Sequence, residues 1–234
     1  SPIAESTIVK AREIMKCDVY QVYGLTETTG AITIMMPDDH DPERGKLRSC
    51  GKALKGVELK VIDDDGNDLE TGEIGEVISK SKLNMKGYWN KPDATKESIV
   101  DGWFYSGDAG FFDEEGFLFI HDRVKDMIVS GGENIYPAEV ENALMSHDEI
   151  LDAAVVGVPD EKWGESVKGF VVIGESSLSE EEIISYTRSQ IAAYKCPKSI
   201  EFIKELPRNP SGKILRRELR DPYWEGIDRK VSGN

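Results

Sequence analysis

The chain has 234 residues, 39% of them hydrophobic and 31% charged, with a formal net charge of −15. That balance fits one or two globular domains with a sizeable core, disfavours polynucleotide binding, which needs a basic stripe, and leaves no apolar run long enough to span a bilayer. Three scattered cysteines (Cys17, Cys50, Cys196) and three dispersed histidines (His40, His121, His147) argue against a zinc site and suggest a reducing, cytoplasmic setting.

In chain order, residues 3–17 space apolar groups at helical intervals and predict an amphipathic helix. Val19–Val22 reads as a short buried strand leading into YGLTETTG at 23–30. From about residue 51 to Asp122 the period becomes two. GVELKVI and IGEVISK are strands joined across DDDGND. GWFYSGD, AGFF and FLFIHD continue the series, with DEEG as a hairpin turn. A run of short strands with polar turns predicts a small antiparallel barrel or sandwich, about 45–122.

After Arg123 helices and strands alternate. Pro137 opens a helix through Met145, LDAAVVGV and SVKGFVVIG are strands, and Ser179 with Glu182 forms a capping box for a helix through about Ala193. SIEFIKEL is a strand and Lys213–Arg220 a last short helix. The fold class expected is therefore α+β, with one domain over 1–123, a second over 124–226, and a frayed tail over 227–234. Arg208, Lys213, Arg216, Arg217 and Arg220 gather basic charge. On charge alone this is a solvated helix face, or a seat for a small polyanion such as a nucleotide.

Three segments carry more than packing requires. They are YGLTETTG, YSGDAGFFDEEGFLFIHDRVKDMIVSGGENIYPAEVENAL at 105–144, and PRNPSGKILRREL at 207–219. In that order they resemble the acyl-adenylate-forming enzymes: acyl-CoA synthetases, carrier-protein-loading adenylation domains and firefly luciferase. The texture is most similar to medium- or long-chain fatty acyl-CoA synthetases and related aryl ligases. The resemblance implies the end of a large AMP-binding domain, then a hinge, then a small lid domain. The family's upstream phosphate loop has no counterpart in this sequence, so the chain is expected to be the C-terminal part of a longer enzyme, inactive as a piece.

The resemblance also implies roles. Tyr23 and Gly24 would face the adenine, Thr26 a phosphate, and Glu27 a Mg²⁺ ion. Asp108 and Arg123 would clamp the ribose, with Ile120 beside the nucleotide; Ser106 stands where the family usually has Thr. Lys125 would be the hinge, Gly131 and Gly132 the wall of a pantetheine tunnel, and Lys213 the adenylating lysine. Trp163, Tyr194, Lys195 and Lys198 would receive CoA, although Cys196 departs from a basic residue found in some relatives. ATP, Mg²⁺ and CoA are the implied cofactors and a carboxylic acid the substrate, with a homodimer admitted.

Read without the resemblance, Thr26 is a helix N-cap with Glu27 in its first turn, Asp108 a turn acid and Arg123 a surface ion pair. Gly131-Gly132 is an ordinary turn, Lys213 a first-turn helix residue and Trp163 a packing residue. The competing functions are an acid:CoA ligase, an adenylation domain that loads a carrier protein, and a non-catalytic binding module.

Overall fold

Strands form where apolar residues alternate and turn residues interrupt them. The computed structural model describes residues 5–174, 177–210 and 212–227, so the ends of the first helix and of the tail named above lie outside it. The chain divides into two compact units between Val124 and Lys125.

The first unit opens with helix α1 (Glu5–Met15), which buries Ile8. A three-stranded antiparallel sheet follows: β1 (Gln21–Leu25), β2 (Gly30–Met35) and β3 (Lys52–Ala53), in that spatial order. The expected buried strand at Val19–Val22 is shifted and half-exposed, because β1 is the edge of its sheet; Val22 is 56% exposed. The buried strand is β2, where Ile32, Thr33 and Met35 are fully enclosed. AITIMM had given no strand, for it lacks clean alternation.

The second sheet comprises β4 (Val57–Ile62), β5 (Gly75–Ser81), β6 (Ile99–Val100), β7 (Trp103–Phe112) and β8 (Leu118–Arg123), with helix α2 (Pro92–Ser98) before β6. Its order is β4-β5-β7-β6, and β8 also pairs with β7. No ladder joins β4 to β8 among the described residues, so the expected small antiparallel barrel takes the form of a half-barrel. GWFYSGD and AGFF are one strand, β7, interrupted by register shifts against β5 and β8. Asp63 accepts from the backbone N–H of Asp65 and Asn67, and Asp113 from those of Glu115 and Phe117, so each turn's own acid closes it. Val61, Val77 and Leu118 form the core, with Tyr23 and Ile120 packed against it.

The second unit is a five-stranded sheet with helices. Its elements are β9 (Ile128–Ser130), β10 (Glu133–Ile135), α3 (Pro137–Met145), β11 (Ile150–Asp160), β12 (Gly164–Ile173), α4 (Glu180–Gln190), β13 (Ser199–Phe202) and α5 (Arg216–Arg220). The strand order is β10-β9-β12-β11, with β13 parallel to β12. β11 has no alternation because both its faces are buried. Ala153 and Val155 pack with Val140 of α3 and Ile183 of α4, while Ala154 and Val156 pack with Phe170 and Leu206 on the other side.

The Ser179–Glu182 capping box is present, and Pro137 occupies the first turn of α3. Two boundaries differ from expectation. α4 ends at Gln190, with a separate 3₁₀ turn at Ala193–Lys195, and α5 starts at Arg216, so Lys213 precedes the helix. Among the described residues no helix is long and apolar enough to cross a membrane.

Candidate active site

The cleft of the first unit is built by strand register. β7 and β8 pair antiparallel, with Asp108 directly across from Arg123. Arg123 Nε lies 2.8 Å from Asp108 Oδ1, and the Tyr23 hydroxyl donates to Oδ2 at 2.7 Å. Arg123 Nη1 also donates to the Ser106 carbonyl at 3.2 Å. Asp108 is buried, at 7% exposure, so the surface-pair reading of Arg123 does not hold on the acid's side. Burial first, and the Asp108 charge second, push the Tyr23 phenol far above its ordinary pKa, which keeps it a donor.

The bend that presents Asp108 has its own supports. Gly107 sits at φ +68°, a conformation that favours glycine. Its N–H donates to Glu76 Oε1 at 2.8 Å. Ser106 Oγ donates to the Val77 carbonyl at 2.6 Å and accepts from the Asp108 N–H at 3.0 Å. Burial raises the Glu76 carboxyl above its ordinary pKa. Glu76 gave no sequence signal, since a glutamate in a strand reads as a solvent-facing residue.

YGLTETTG folds as β1 running into a 3₁₀ turn, Thr26–Thr28. Thr26 is not the cap: Thr28 Oγ1 closes the turn, accepting from the Leu25 N–H at 2.9 Å and donating to the Gly30 carbonyl at 2.7 Å. Thr26 is thereby exposed, and Glu27 lies half-buried in the cleft. Gly24 has a steric reason to be glycine: a Cβ there would stand 1.9 Å from the Gly30 carbonyl oxygen. The cleft, about 340 Å³, is lined by Glu27, Glu76, Tyr88, Ser106, Gly107 and Arg123 among others. Tyr88 carries no sequence signal of its own; its hydroxyl donates to Glu27 Oε1 at 3.0 Å.

Glu27 and the Thr26 hydroxyl are hard oxygen donors. Among the described residues no three His, Cys, Asp or Glu side chains group to hold a metal. A single carboxylate with a nearby hydroxyl would fit Mg²⁺ only where other oxygens, such as waters or phosphates, complete its shell.

The remaining candidates lie on the second unit. Gly131 and Gly132 are the two-residue turn of the β9–β10 hairpin, at φ +62° and +87°, with Ser130 paired to Glu133. Both positive angles are what a type I′ turn demands. Trp163 covers this turn: a Cβ on Gly131 would lie 2.6 Å from its ring, and the Gly131 N–H donates to the Trp163 carbonyl at 2.8 Å. A Cβ on Gly132 would meet nothing within 4 Å. Lys162 lies over the Trp163 ring at 4.5 Å. Tyr194 and Lys198 are exposed, while Lys195 is held by both oxygens of Glu139 at 2.7 Å.

Lys213 stands in the turn before α5. Its N–H donates to Asn209 Oδ1 and its carbonyl accepts from the Asn209 N–H, both at 2.9 Å. Ile214 and Leu219 anchor the segment to the Phe170–Leu206 side of the sheet. The other basic residues of that cluster are neutralised. Arg208 pairs with Asp152 at 2.6 Å, Arg216 grips Glu141 at 3.0 and 2.6 Å, and Arg220 lies 3.6 Å from Asp126. Arg217 is 3.9 Å from Asp221. Lys213 alone in the cluster has no acidic partner among the described residues. Of the two readings of this cluster, the solvated face fits the paired arginines, and Lys213 is left as a solvent-facing lysine on a braced turn. Lys125 is exposed within the 3₁₀ turn Val124–Asp126.

The family model for AMP-binding enzymes matches residues 1–89, and that for the AMP-binding enzyme C-terminal domain matches residues 139–213. The chain belongs to the AMP-binding enzyme family. A fatty acid–acyl-carrier-protein ligase of Streptomyces coeruleorubidus is 45% identical over 99% of this chain and 45% of its own length. A long-chain-fatty-acid–CoA ligase of Mycobacterium tuberculosis is 43% identical over 95% of this chain and 43% of its own length. Among solved structures, the o-succinylbenzoate CoA synthetase of Bacillus subtilis, in complex with its acyl-adenylate intermediate, superposes with a TM-score of 0.86. It is 39% identical, over 94% of this chain and 44% of that one. The chain thus spans less than half the length of these relatives.

Proposed function

We propose that this chain carries the second half of an ATP-dependent acid:CoA ligase, which forms acyl-AMP and pyrophosphate and then acyl-CoA and AMP. The observation that carries the reading is the buried Asp108 carboxylate, set by strand register against Arg123, which lines the cleft, and held on its other oxygen by Tyr23. A carboxylate of that kind suits two vicinal ribose hydroxyls. Tyr23, Gly24 and Ile120 make the adenine side, Thr26 the phosphate side, and Glu27 a Mg²⁺ ligand. When bound, the Mg²⁺ ion neutralises phosphate charge. Lys213 is the cation placed between carboxylate and α-phosphate, supported by its lack of an acidic partner among the described residues. Positioning and electrostatics supply most of the catalysis in such chemistry.

The second half-reaction is assigned to the Gly131-Gly132 turn as the pantetheine wall, with Trp163, Tyr194 and Lys198 toward CoA. Lys195 is assigned there as well, through exchange of Glu139 for phosphate. Lys213 and the glycine turn lie on separate segments of the second unit, so serving one adenylate requires the lid domain, 124–226, to pivot at Lys125. Three free cysteines support a cytoplasmic enzyme.

A carrier-protein acceptor is the second reading, favoured by the 45% identity to an acyl-carrier-protein ligase. The test offers the full-length enzyme a panel of fatty and aryl acids with ATP, then either free CoA or a pantetheinylated carrier protein. Acyl-CoA is expected. Thioester on the carrier protein alone selects the second reading, and no acyl-AMP with any acid removes both.

A further inference from the structure

Between β5 and β7 runs KGYWNKPDAT, residues 86–95, a segment with no role in the site assigned so far. Its local structure serves one side chain. Gly87 sits at φ +151°, and a Cβ there would lie 2.7 Å from the Thr95 methyl, so only glycine lets the chain pass. The Tyr88 N–H donates to Thr95 Oγ1 at 2.9 Å, and that hydroxyl donates to the Lys91 carbonyl at 2.9 Å. Pro92 starts α2 and fixes the turn that brings Thr95 back.

The residues just before this segment are tied to the Thr26–Thr28 turn and to the residue after that turn. Met85 N–H donates to the Glu27 carbonyl at 2.6 Å, and Thr29 Oγ1 donates to the Leu83 carbonyl at 2.6 Å. Thr29 is β-branched yet held at φ +57°, a costly conformation that such a tie maintains. The outcome of both sets of bonds is the placement of the Tyr88 hydroxyl 3.0 Å from Glu27 Oε1, at the wall of the cleft. Among the described residues, Glu27 Oε2 has no partner. A packing role for Tyr88 needs its ring only; the hydroxyl has a separate use.

We infer that Tyr88 is a positioning residue for Glu27: its hydroxyl pins Oε1 and leaves Oε2 as the oxygen offered to the divalent cation of a metal–nucleotide. This rests on the proposed nucleotide role of the cleft. One charge-assisted hydrogen bond corresponds to about a tenfold change in an equilibrium. The test is calorimetric binding of ATP to the full-length enzyme across a Mn²⁺ titration, with metal-free AMP as the reference ligand, for wild type, Tyr88→Phe, Glu27→Gln and the double variant. The Mn²⁺ half-saturation point is expected to rise about tenfold in Tyr88→Phe relative to the AMP reference. In the Glu27→Gln background the same change is expected to do nothing further.

Thr95→Val, which removes the acceptor for the Tyr88 N–H, is expected to give a smaller shift of the same kind, and it decides the matter if Tyr88→Phe does not fold. Equal weakening of AMP and metal–ATP, additive effects in the double variant, or an unchanged Mn²⁺ dependence would each overturn the inference. A wild type that binds neither AMP nor Mn²⁺–ATP would remove the proposed function, and this inference with it.

Discussion

Replacing Asp108 by Asn tests the ribose clamp with the least change of shape. The wild-type carboxylate is buried and engaged on one oxygen by Arg123 and on the other by Tyr23. In the variant, the amide oxygen must face the guanidinium, since two donors would repel there. The amide nitrogen then meets the Tyr23 hydroxyl, which can turn and accept. Both contacts survive as neutral or singly charged bonds, and what is lost is the pairing of two charges. Breaking a fully buried pair costs about 3–5 kcal/mol. The Arg123 side chain is 40% exposed against 10% for Asp108, so water screens one partner. The expected loss is therefore about 1–3 kcal/mol in stability. Urea denaturation, followed by the midpoint at constant slope, reads it. AMP affinity of the full-length enzyme should fall by about tenfold or more, one charge-assisted bond to ribose. A stability change under about 0.5 kcal/mol with unchanged AMP affinity would refute the reasoning and return Asp108 to the status of a turn acid.

Gly24→Ala puts a methyl against immovable backbone, the Gly30 carbonyl and Ala31 Cα, and should cost about 3 kcal/mol or more by the same denaturation measurement. Arg216→Ala leaves the half-buried Glu141 without its guanidinium and should cost about 3 kcal/mol, the low end for a buried pair. Arg216→Met combined with Glu141→Gln keeps an acceptor for the Val155 N–H and should cost much less. Glu76 has a raised pKa in the folded state, so its stabilising contribution is fully present at acid pH below the ordinary carboxylate range and is lost as pH rises through the raised value. Glu76→Gln keeps an acceptor for the Gly107 N–H and does not titrate. Denaturation at about pH 4 and about pH 7 should show wild type losing ground to the variant as pH rises.

The residues of the site were legible where chemistry left a mark that packing does not explain. Asp108 and Arg123 stood in unusual company within short strands, and strand register sets them side by side. Tyr88 and Glu76 were not legible. An aromatic in a loop and a glutamate in a strand have ordinary readings, and only the through-space bonds to Glu27 and Gly107 distinguish them. The basic cluster stayed open between a solvated face and a polyanion seat for the converse reason. Its neutralising acids, Asp152, Glu141 and Asp126, are remote in sequence and arrive through the sheet. Among the elements, β11 and the capped start of α4 match expectation because run length and caps are local signals. β2 and the β9–β10 hairpin were missed because short strands carry little periodicity. The glycine pair marked the turn of that hairpin but not the strands on either side.

The account rests on a carboxylate meeting ATP at this site. The most direct measurement is acid-dependent exchange of labelled pyrophosphate into ATP by the full-length enzyme and its Lys213→Ala variant, alongside thioester formation from supplied acyl-AMP and CoA. Exchange should require a carboxylic acid and Mg²⁺, and should be lost in the variant by a factor equivalent to several kcal/mol, about 10³-fold, while thioester formation from acyl-AMP persists. Absence of acid-dependent exchange in the wild type, or equal loss of both half-reactions in the variant, would contradict the account.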